Sequence, residues 1–101
     1  MIIQWTDNAV EHLVNIYEYI ALNSPTFAKQ MVDKITRRSA QIAAQPLSGR
    51  KVPEYDAKDV RELIERPYRI IYRIKQDRID VLAVIHGARL LPDDIQDTRS
   101  D

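Results

Sequence analysis

Cysteine is absent from the 101-residue sequence, which excludes disulfide bonds and zinc sites built on thiolates. No stretch approaches the roughly 20 consecutive apolar residues that a membrane-spanning helix needs. The first residues, MIIQWTDNAVEH, lack the basic start and the long apolar segment of a secretion signal. From these absences we expect a cytoplasmic protein that has no association with a membrane.

The sequence is equally poor in the residues that form common catalytic centres. It has only two histidines, His12 and His86, and they lie far apart, so a metal site is not expected. It contains no glycine-rich phosphate loop and no Ser/His/Asp arrangement. We therefore expect neither a metal nor a cofactor.

The composition that is present is typical of one folded domain, with 45% hydrophobic and 30% charged residues. Its charge is unevenly distributed, because residues 29–89 hold 14 basic and 8 acidic side chains, whereas residues 93–101 hold four aspartates and one arginine. We expect a single domain over residues 1–92 and a mobile acidic tail over residues 93–101. The basic excess predicts a surface that can meet nucleic acid or an acidic protein.

The clearest pattern in the chain predicts a β-hairpin. From Tyr68 to Lys75, tyrosine and isoleucine alternate with mainly basic residues, which is the period of two typical of a half-buried strand. A polar turn at Gln76–Asp77 then precedes a second run, Ile79–His86, rich in β-branched residues. A two-residue turn predicts four apolar pairs on one face: Ile74 with Ile79, Tyr72 with Val81, Ile70 with Ala83, and Tyr68 with Ile85.

The other face of this hairpin is predicted to be a basic platform. Asp80 lies opposite Arg73 on it in the same register. The basic side chains assigned to this face are Arg69, Arg73, Lys75, Arg78 and His86. We expect the apolar face to build the core and the function to lie on or beside the basic platform.

The rest of the chain predicts a two-layer α+β fold in the order β-α-α-β-β-β. A short strand over residues 2–5 precedes a helix capped by Thr6 or Asp7, and Ser24–Pro25 starts a second helix that runs to about Ala44. The short break between two amphipathic helices implies a helical hairpin packed on one face of a mostly antiparallel sheet. The opposite face of the sheet is expected to be left for solvent or a partner.

A further strand is expected between the helices and the hairpin. Residues 60–64 predict a strand that turns at Glu65–Arg66–Pro67. The length of that turn stays open, and with it the face of Arg61, because a shift of one residue sends a side chain to the opposite face. Four aromatic residues are expected in the core: Trp5, Tyr17, Tyr68 and Tyr72.

Several of these segments together resemble the RelE/ParE toxins of type II toxin–antitoxin systems, over about residues 2–92. They are Trp5 before a capped helix, the helical hairpin, Gly49–Glu54, Val60–Leu63, Tyr68–Ile74 and His86–Arg89. Their order and spacing, rather than any single motif, carry the resemblance. It implies the two-layer fold and an antitoxin that wraps and neutralises the toxin in a hetero-oligomer.

The resemblance also implies one of two targets. RelE-like members enter the ribosomal A site and cleave messenger RNA, whereas ParE-like members share the scaffold, lack most of that catalytic set and poison DNA gyrase. Arg69 and Arg89 match the phosphate-stabilising arginines of the RelE-like enzymes. Glu54 matches a glutamate of YoeB-like relatives, and His86 lies within one position of their histidine. The lysines and the C-terminal tyrosine of RelE itself have no counterpart here.

Because this set is incomplete and the helical hairpin is long, we predict a ParE-like toxin that inhibits DNA gyrase by binding. The alternative is a ribosome-dependent endoribonuclease that acts on mRNA, with the catalytic residues Arg69, Arg89, His86 and Glu54. A third possibility is a toxin that has lost its activity and persists as a binding module. Contacts with nucleic acid, target or antitoxin are predicted for Arg61, Arg69, Arg73, Lys75 and Arg89. For each of these side chains the competing interpretation is a purely structural role.

Overall fold

The computed structural model of the protein describes residues 1–87. It contains the helices α1 (Asp7–Ala21) and α2 (Pro25–Ala44), a short 3₁₀ turn (Pro46–Ser48), and the strands β1 (Ile2–Trp5), β2 (Arg50–Lys51), β3 (Val60–Glu65), β4 (Tyr68–Ile74) and β5 (Arg78–His86). This order confirms the predicted α+β fold with its helical hairpin. Arg89 and the acidic residues 93–101 lie outside the described residues, so the predicted domain boundary stays a prediction.

The five strands form one mixed sheet in the order β1-β5-β4-β3-β2. The first strand pairs parallel with the last, with Ile3 opposite Ile79, and every other neighbouring pair is antiparallel. The two described strands that are farthest apart in sequence therefore lie side by side. Among residues 1–87, no helix is long and apolar enough to cross a membrane.

Both helices begin where the sequence predicts. Thr6 caps α1, because its hydroxyl accepts a hydrogen bond from the Ala9 N–H at 3.1 Å and also donates to the Val81 carbonyl of β5 at 2.9 Å. Ser24 caps α2 by accepting from the Phe27 N–H at 3.1 Å, and Pro25 occupies the first helical position. Thr6 thus starts the helix and ties it to the sheet.

The helices cover one face of the sheet and build the main core with it. Ile35 and Ile42 of α2 and Tyr72 of β4 are fully buried there. The Tyr72 hydroxyl donates to the Pro46 carbonyl at 2.7 Å and accepts from the Gly49 N–H at 3.0 Å, so the buried phenol has polar partners. The expectation that Tyr17 belongs to this core is wrong, because its side chain is 40% exposed on the outer side of α1.

The β4–β5 hairpin keeps the predicted register only near its turn. Ile74 pairs with Ile79 and Tyr72 with Val81, as expected, but Leu82 is an extra residue in β5 that forms a β-bulge. Beyond it the predicted pairs are wrong: Ile70 pairs with Val84 instead of Ala83, and Tyr68 pairs with His86 instead of Ile85. An extra residue leaves no trace in an apolar run, yet it moves every later side chain to the opposite face.

The bulge therefore changes which side chains accompany Arg69. Ile85 now lies opposite Arg69, while His86 lies opposite Tyr68 on the helix-covered face. The expectation that His86 belongs to the platform of Arg69 is wrong for this reason. The structure also gives the length of the turn between β3 and β4. Glu65 pairs with Tyr68, so the turn has two residues. Arg61 therefore pairs with Tyr72 and lies on the helix-covered face.

The second face of the sheet is not bare, contrary to expectation. The segment between β2 and β3 folds back over it and places Val52, Tyr55 and Ala57 against the strands. The buried residues that meet this segment are Val60, Ile71, Leu82, Ala83 and Ile85. A second, smaller apolar cluster therefore occupies the middle of the face that we expected to be left for solvent or a partner.

Candidate functional site

An open cleft of about 740 Å³ lies at the end of the sheet where β3, β4 and β5 meet. Its lining includes Arg50, Glu54, Arg66, Tyr68, Arg69 and His86. Three of the four side chains predicted as catalytic, Glu54, Arg69 and His86, thus line one cleft, but only Glu54 and Arg69 contact each other there. The fourth, Arg89, lies outside the described residues.

Arg69 forms the centre of a buried ion-pair cluster. Its Nε donates to Glu62 Oε1 at 2.6 Å, and its two terminal nitrogens donate to the two oxygens of Glu54 at 2.8 Å each. The residue is only 5% exposed. Hydrogen bonding to Glu54 raises the pKa of Arg69 above its ordinary value even though burial opposes the charge, and Glu62 adds to this effect. The guanidinium is a permanent cation whose donors point at carboxylates.

Glu62 is the member of this cluster that sequence reasoning missed. Its side chain is fully buried, and besides Arg69 it accepts a hydrogen bond from Arg50 Nε at 2.5 Å. Glu62 pairs with Ile71 and Arg69 with Ile64, so the two charges occupy diagonal positions on neighbouring strands. The sequence does contain an acidic residue in β3 and a basic residue in β4. They can be matched to each other only when the length of the β3–β4 turn, and with it the register of the strands, is known.

The close approach of β2 to β3 places Arg50 beside Glu62. Gly49 makes this approach possible, because a Cβ atom at that position would lie 2.5 Å from the Tyr72 hydroxyl and 2.6 Å from the Glu62 carbonyl oxygen. Arg50 at the rim of the cleft is therefore positioned by its neighbour Gly49, which packs against Tyr72 of the helix-covered face.

His86 lies apart from the ion-pair cluster. It is exposed at the end of β5, and its ring meets the Tyr68 ring edge-on with centroids 6.0 Å apart. It also lines a second cleft of about 370 Å³ between α1 and β5, together with His12 and Tyr19. His86 thus stands between two clefts, on the face opposite to that of Arg69.

The other end of the second face carries another set of ion pairs. Asp80 is fully buried, with Arg78 Nε donating to it at 2.9 Å and Lys75 Nζ 3.1 Å away. Burial alone would raise the pKa of Asp80, but the hydrogen bond from Arg78 and the charge of Lys75 outweigh it and hold the pKa below its usual range. Arg73 similarly lies 3.4 Å from Asp59.

These contacts correct the expectation of a basic platform. Arg69, Arg73, Lys75 and Arg78 are each paired with a carboxylate, so the second face is a set of neutralised clusters. Arg61 lies elsewhere, and its terminal nitrogen donates to the Gly49 carbonyl at 2.9 Å. The side chains predicted to bind nucleic acid, target or antitoxin are thus distributed over separate places, and their role in binding stays a prediction.

Within residues 1–87, no group of three or more His, Asp or Glu side chains could hold a metal ion. The cleft itself presents charged side chains and apolar walls. The half-buried carboxylate of Glu54 and the buried carboxylate of Glu62 are both bound to the Arg69 guanidinium, which favours a recognition surface over a set of free acid–base groups.

The described residues define a small two-layer α+β domain with an open cleft at one end of its sheet. The sequence matches the ParE toxin of type II toxin–antitoxin systems, parDE, over residues 3–91. The chain belongs to this ParE toxin family.

A solved structure described as the chromosomal ParDE TA system from P. aeruginosa contains a chain with a similar fold. The two chains superpose with a TM-score of 0.72 at 28% sequence identity, and the match covers 85% of this chain and 95% of that chain. None of the curated proteins compared with the sequence matches it significantly.

Proposed function

We propose that this ParE-type toxin arrests growth by binding and inhibiting DNA gyrase, and that a cognate antitoxin neutralises it. The observation that carries the proposal is the state of Arg69. It is buried, and its donors are bound to Glu54 and Glu62. A toxin that acts by binding needs no free catalytic cation.

The same observation weighs against the endoribonuclease alternative. Metal-free RNA cleavage needs a base for the 2′-hydroxyl and a cation for the charge that develops on the phosphate. If Arg69 turned toward a phosphate, Glu62 would keep a buried charge without its main partner, which costs several kcal/mol, on the order of 3–5. Glu54, the candidate base, accepts two hydrogen bonds from the same guanidinium, so both groups are already engaged.

Purified toxin tested against both targets distinguishes the two functions. We expect it to inhibit supercoiling by gyrase and to trap double-strand breaks, and to leave messenger RNA on translating ribosomes intact. Toxin mixed with its antitoxin is the matched control and should do neither. Ribosome-stimulated cleavage of messenger RNA would overturn the proposal, and intact messages together with unimpaired gyrase would indicate a toxin that has lost its activity.

The proposed antitoxin contact is an amphipathic helix along the outer side of α1. Its support is a row of exposed apolar residues on the outer side of α1, Val10, Val14 and Tyr17, which are 46%, 49% and 40% exposed. Their spacing of four and three residues places them on one side of the helix. An extended antitoxin segment against the sheet has no such support, because the segment between β2 and β3 already packs on the second face. Binding of an acidic antitoxin segment to Arg69 and Arg73 has no such support either, since both arginines are already paired with carboxylates of the toxin.

Substitution of this row tests the antitoxin contact. Val14→Glu places a charge in the middle of an apolar interface, and we expect it to weaken antitoxin binding by about tenfold or more. Lys29→Glu, at an exposed position of α2, is the control and should change the affinity little. Equal affinities of the two variants, measured by calorimetric titration, would contradict this placement.

A further inference from the structure

The carboxylate that lines the cleft, Glu54, and the one buried beside it, Glu62, are already bound. Glu54 accepts from both terminal nitrogens of Arg69, and the buried Glu62 accepts from Arg69 and from Arg50. The negative charge in the cleft is therefore neutralised within the protein. A ligand that enters the cleft meets no unpaired carboxylate from these two residues.

Positive charge, in contrast, is left over at the rim. Arg66 is exposed in the two-residue turn between β3 and β4, and it makes no ion pair or side-chain hydrogen bond with residues 1–87. Arg50 has a side chain that is 65% exposed, and toward residues 1–87 its guanidinium uses only its Nε, which is bound to Glu62. The terminal nitrogens of Arg50 and the whole guanidinium of Arg66 remain available to an incoming anion.

The walls between these two cations are apolar. Pro53 and Pro67 line the cleft together with Tyr68 and Ile64, and Ile64 is 38% exposed although it is a strand residue. The volume of about 740 Å³ is large enough for several side chains of a partner. An apolar wall between two cations suits a segment that carries both apolar and acidic side chains.

We propose that this cleft is the surface through which the toxin engages its protein target, and that the target supplies an extended acidic segment with an apolar side chain. The carboxylates of that segment pair with Arg66 and the terminal nitrogens of Arg50, and its apolar side chain packs on the exposed Ile64. This inference rests on the proposed function, in which the toxin acts by binding gyrase.

A nucleic acid fits this cleft less well than an acidic protein segment. Double-stranded DNA presents a charge about every 1.7 Å, and proteins bind it through rows of cations. Within residues 1–87 the cleft offers the guanidinium of Arg66 and the terminal nitrogens of Arg50, which is itself paired with Glu62. Residues 1–87 carry 13 basic and 11 acidic side chains, a small excess. The apolar wall also has no counterpart on a phosphate backbone.

Charge reversal at the rim tests the proposal. We expect Arg66→Glu to weaken the binding of the full-length toxin to purified gyrase, and its inhibition of supercoiling, by about tenfold or more. Ile64→Ser, which removes the apolar wall without a change in charge, should weaken binding about threefold to tenfold. Arg37→Glu, an exposed arginine of α2 that does not line the cleft, is the matched control and should bind like the wild type.

The possible outcomes separate this inference from the proposed function. A wild-type toxin that does not bind gyrase refutes the proposed function. If the wild-type toxin binds gyrase, and Arg66→Glu and Arg37→Glu bind it with equal affinity, the cleft is not the binding surface, and the proposed function is unaffected. Binding of DNA without gyrase that is lost in Arg66→Glu also refutes an acidic protein segment as the occupant. Unchanged binding of each variant to the antitoxin shows that the fold is intact.

Discussion

The two faces of the same sheet are buried in different ways. The helix-covered face is filled almost entirely by apolar side chains such as Ile35, Ile70 and Tyr72. The second face is covered by a loop, and it combines a small apolar cluster around Ile71 with buried charges, including Arg69. The packing of the helix-covered face therefore depends chiefly on the hydrophobic effect, whereas the packing of the second face also depends on ion pairs.

This difference shows that a charged residue in a strand is no sign of exposure. Arg69 is enclosed because carboxylates reach it from two other segments, Glu62 of β3 and Glu54 of the loop. The charges neutralise one another, so the loop can pack against the strands without leaving a buried charge unpaired. The ion-pair cluster thus serves as the attachment of the loop that forms one wall of the cleft.

The largest expected effect comes from breaking this attachment. Arg69→Ala leaves Glu54 and Glu62 without their common partner, and we expect it to lower the free energy of unfolding by about 3–5 kcal/mol. Urea unfolding followed by circular dichroism measures the change. The control is Arg66→Ala, the exposed arginine three residues earlier, which should stay within about 0.5 kcal/mol of the wild type.

If Arg69→Ala and Arg66→Ala were equally stable, Arg69 would be an ordinary surface residue. The comparison between the two faces would then fail, and so would the principal support for a toxin that acts by binding. The pair is informative because both residues are arginines close together in sequence that differ chiefly in burial.

A second prediction compares the apolar parts of the two faces. Ile70 and Ile71 are consecutive in β4 and fully buried, but Ile70 faces the helices and Ile71 faces the loop. We expect Ile70→Ala and Ile71→Ala each to cost about 2–5 kcal/mol of unfolding free energy, because each leaves a cavity. If Ile71→Ala cost less than about 1 kcal/mol in the same urea titration, the loop would not be packed on the second face.

A smaller, pH-dependent effect is expected at the other end of the second face. The pKa of Asp80 is lowered in the folded state by Arg78 and Lys75, so its ion pairs stabilise the fold above the pKa of an unfolded aspartate, about 3.9. That stabilisation is lost as the pH falls through the lower, folded pKa. Asp80→Asn should therefore be less stable at pH 7 and should lose less stability than the wild type on acidification below about pH 4.

Urea midpoints measured from pH 7 to pH 2 test this prediction. Glu18→Gln, an exposed carboxylate of α1, is the matched control and should keep the pH dependence of the wild type. Parallel curves for Asp80→Asn and the wild type below pH 4 would show that Asp80 forms no stabilising ion pair in the folded protein.

Much of the architecture was accessible from the sequence because it follows from local rules. Alternation in β4, the caps Thr6 and Ser24, and the break at Pro25 were enough to predict the element order and the helical hairpin. These signals lie within a few residues of the structure that they specify. They do not depend on how distant segments meet.

The candidate site was less accessible, because it depends on contacts between distant segments. The bulge at Leu82 moved His86 away from Arg69, and an extra residue in an apolar run has no signature in the sequence. Glu62 could be matched to Arg69 only once the turn between β3 and β4 was known to have two residues. The sequence therefore predicts some of the residues that line the cleft, but it does not predict that Arg69 forms ion pairs with Glu54 and Glu62.

The central claim is that the Arg69 guanidinium is sealed between two carboxylates, and the exchange of its Nε–H with solvent tests this most directly. Nitrogen-15 NMR of the full-length toxin resolves arginine Nε–H groups, and the exposed Arg66 provides an internal reference. We predict that the Arg69 signal persists and exchanges far more slowly than that of Arg66, because it is buried and hydrogen-bonded to Glu62. Equal, rapid exchange of the two signals would contradict the claim.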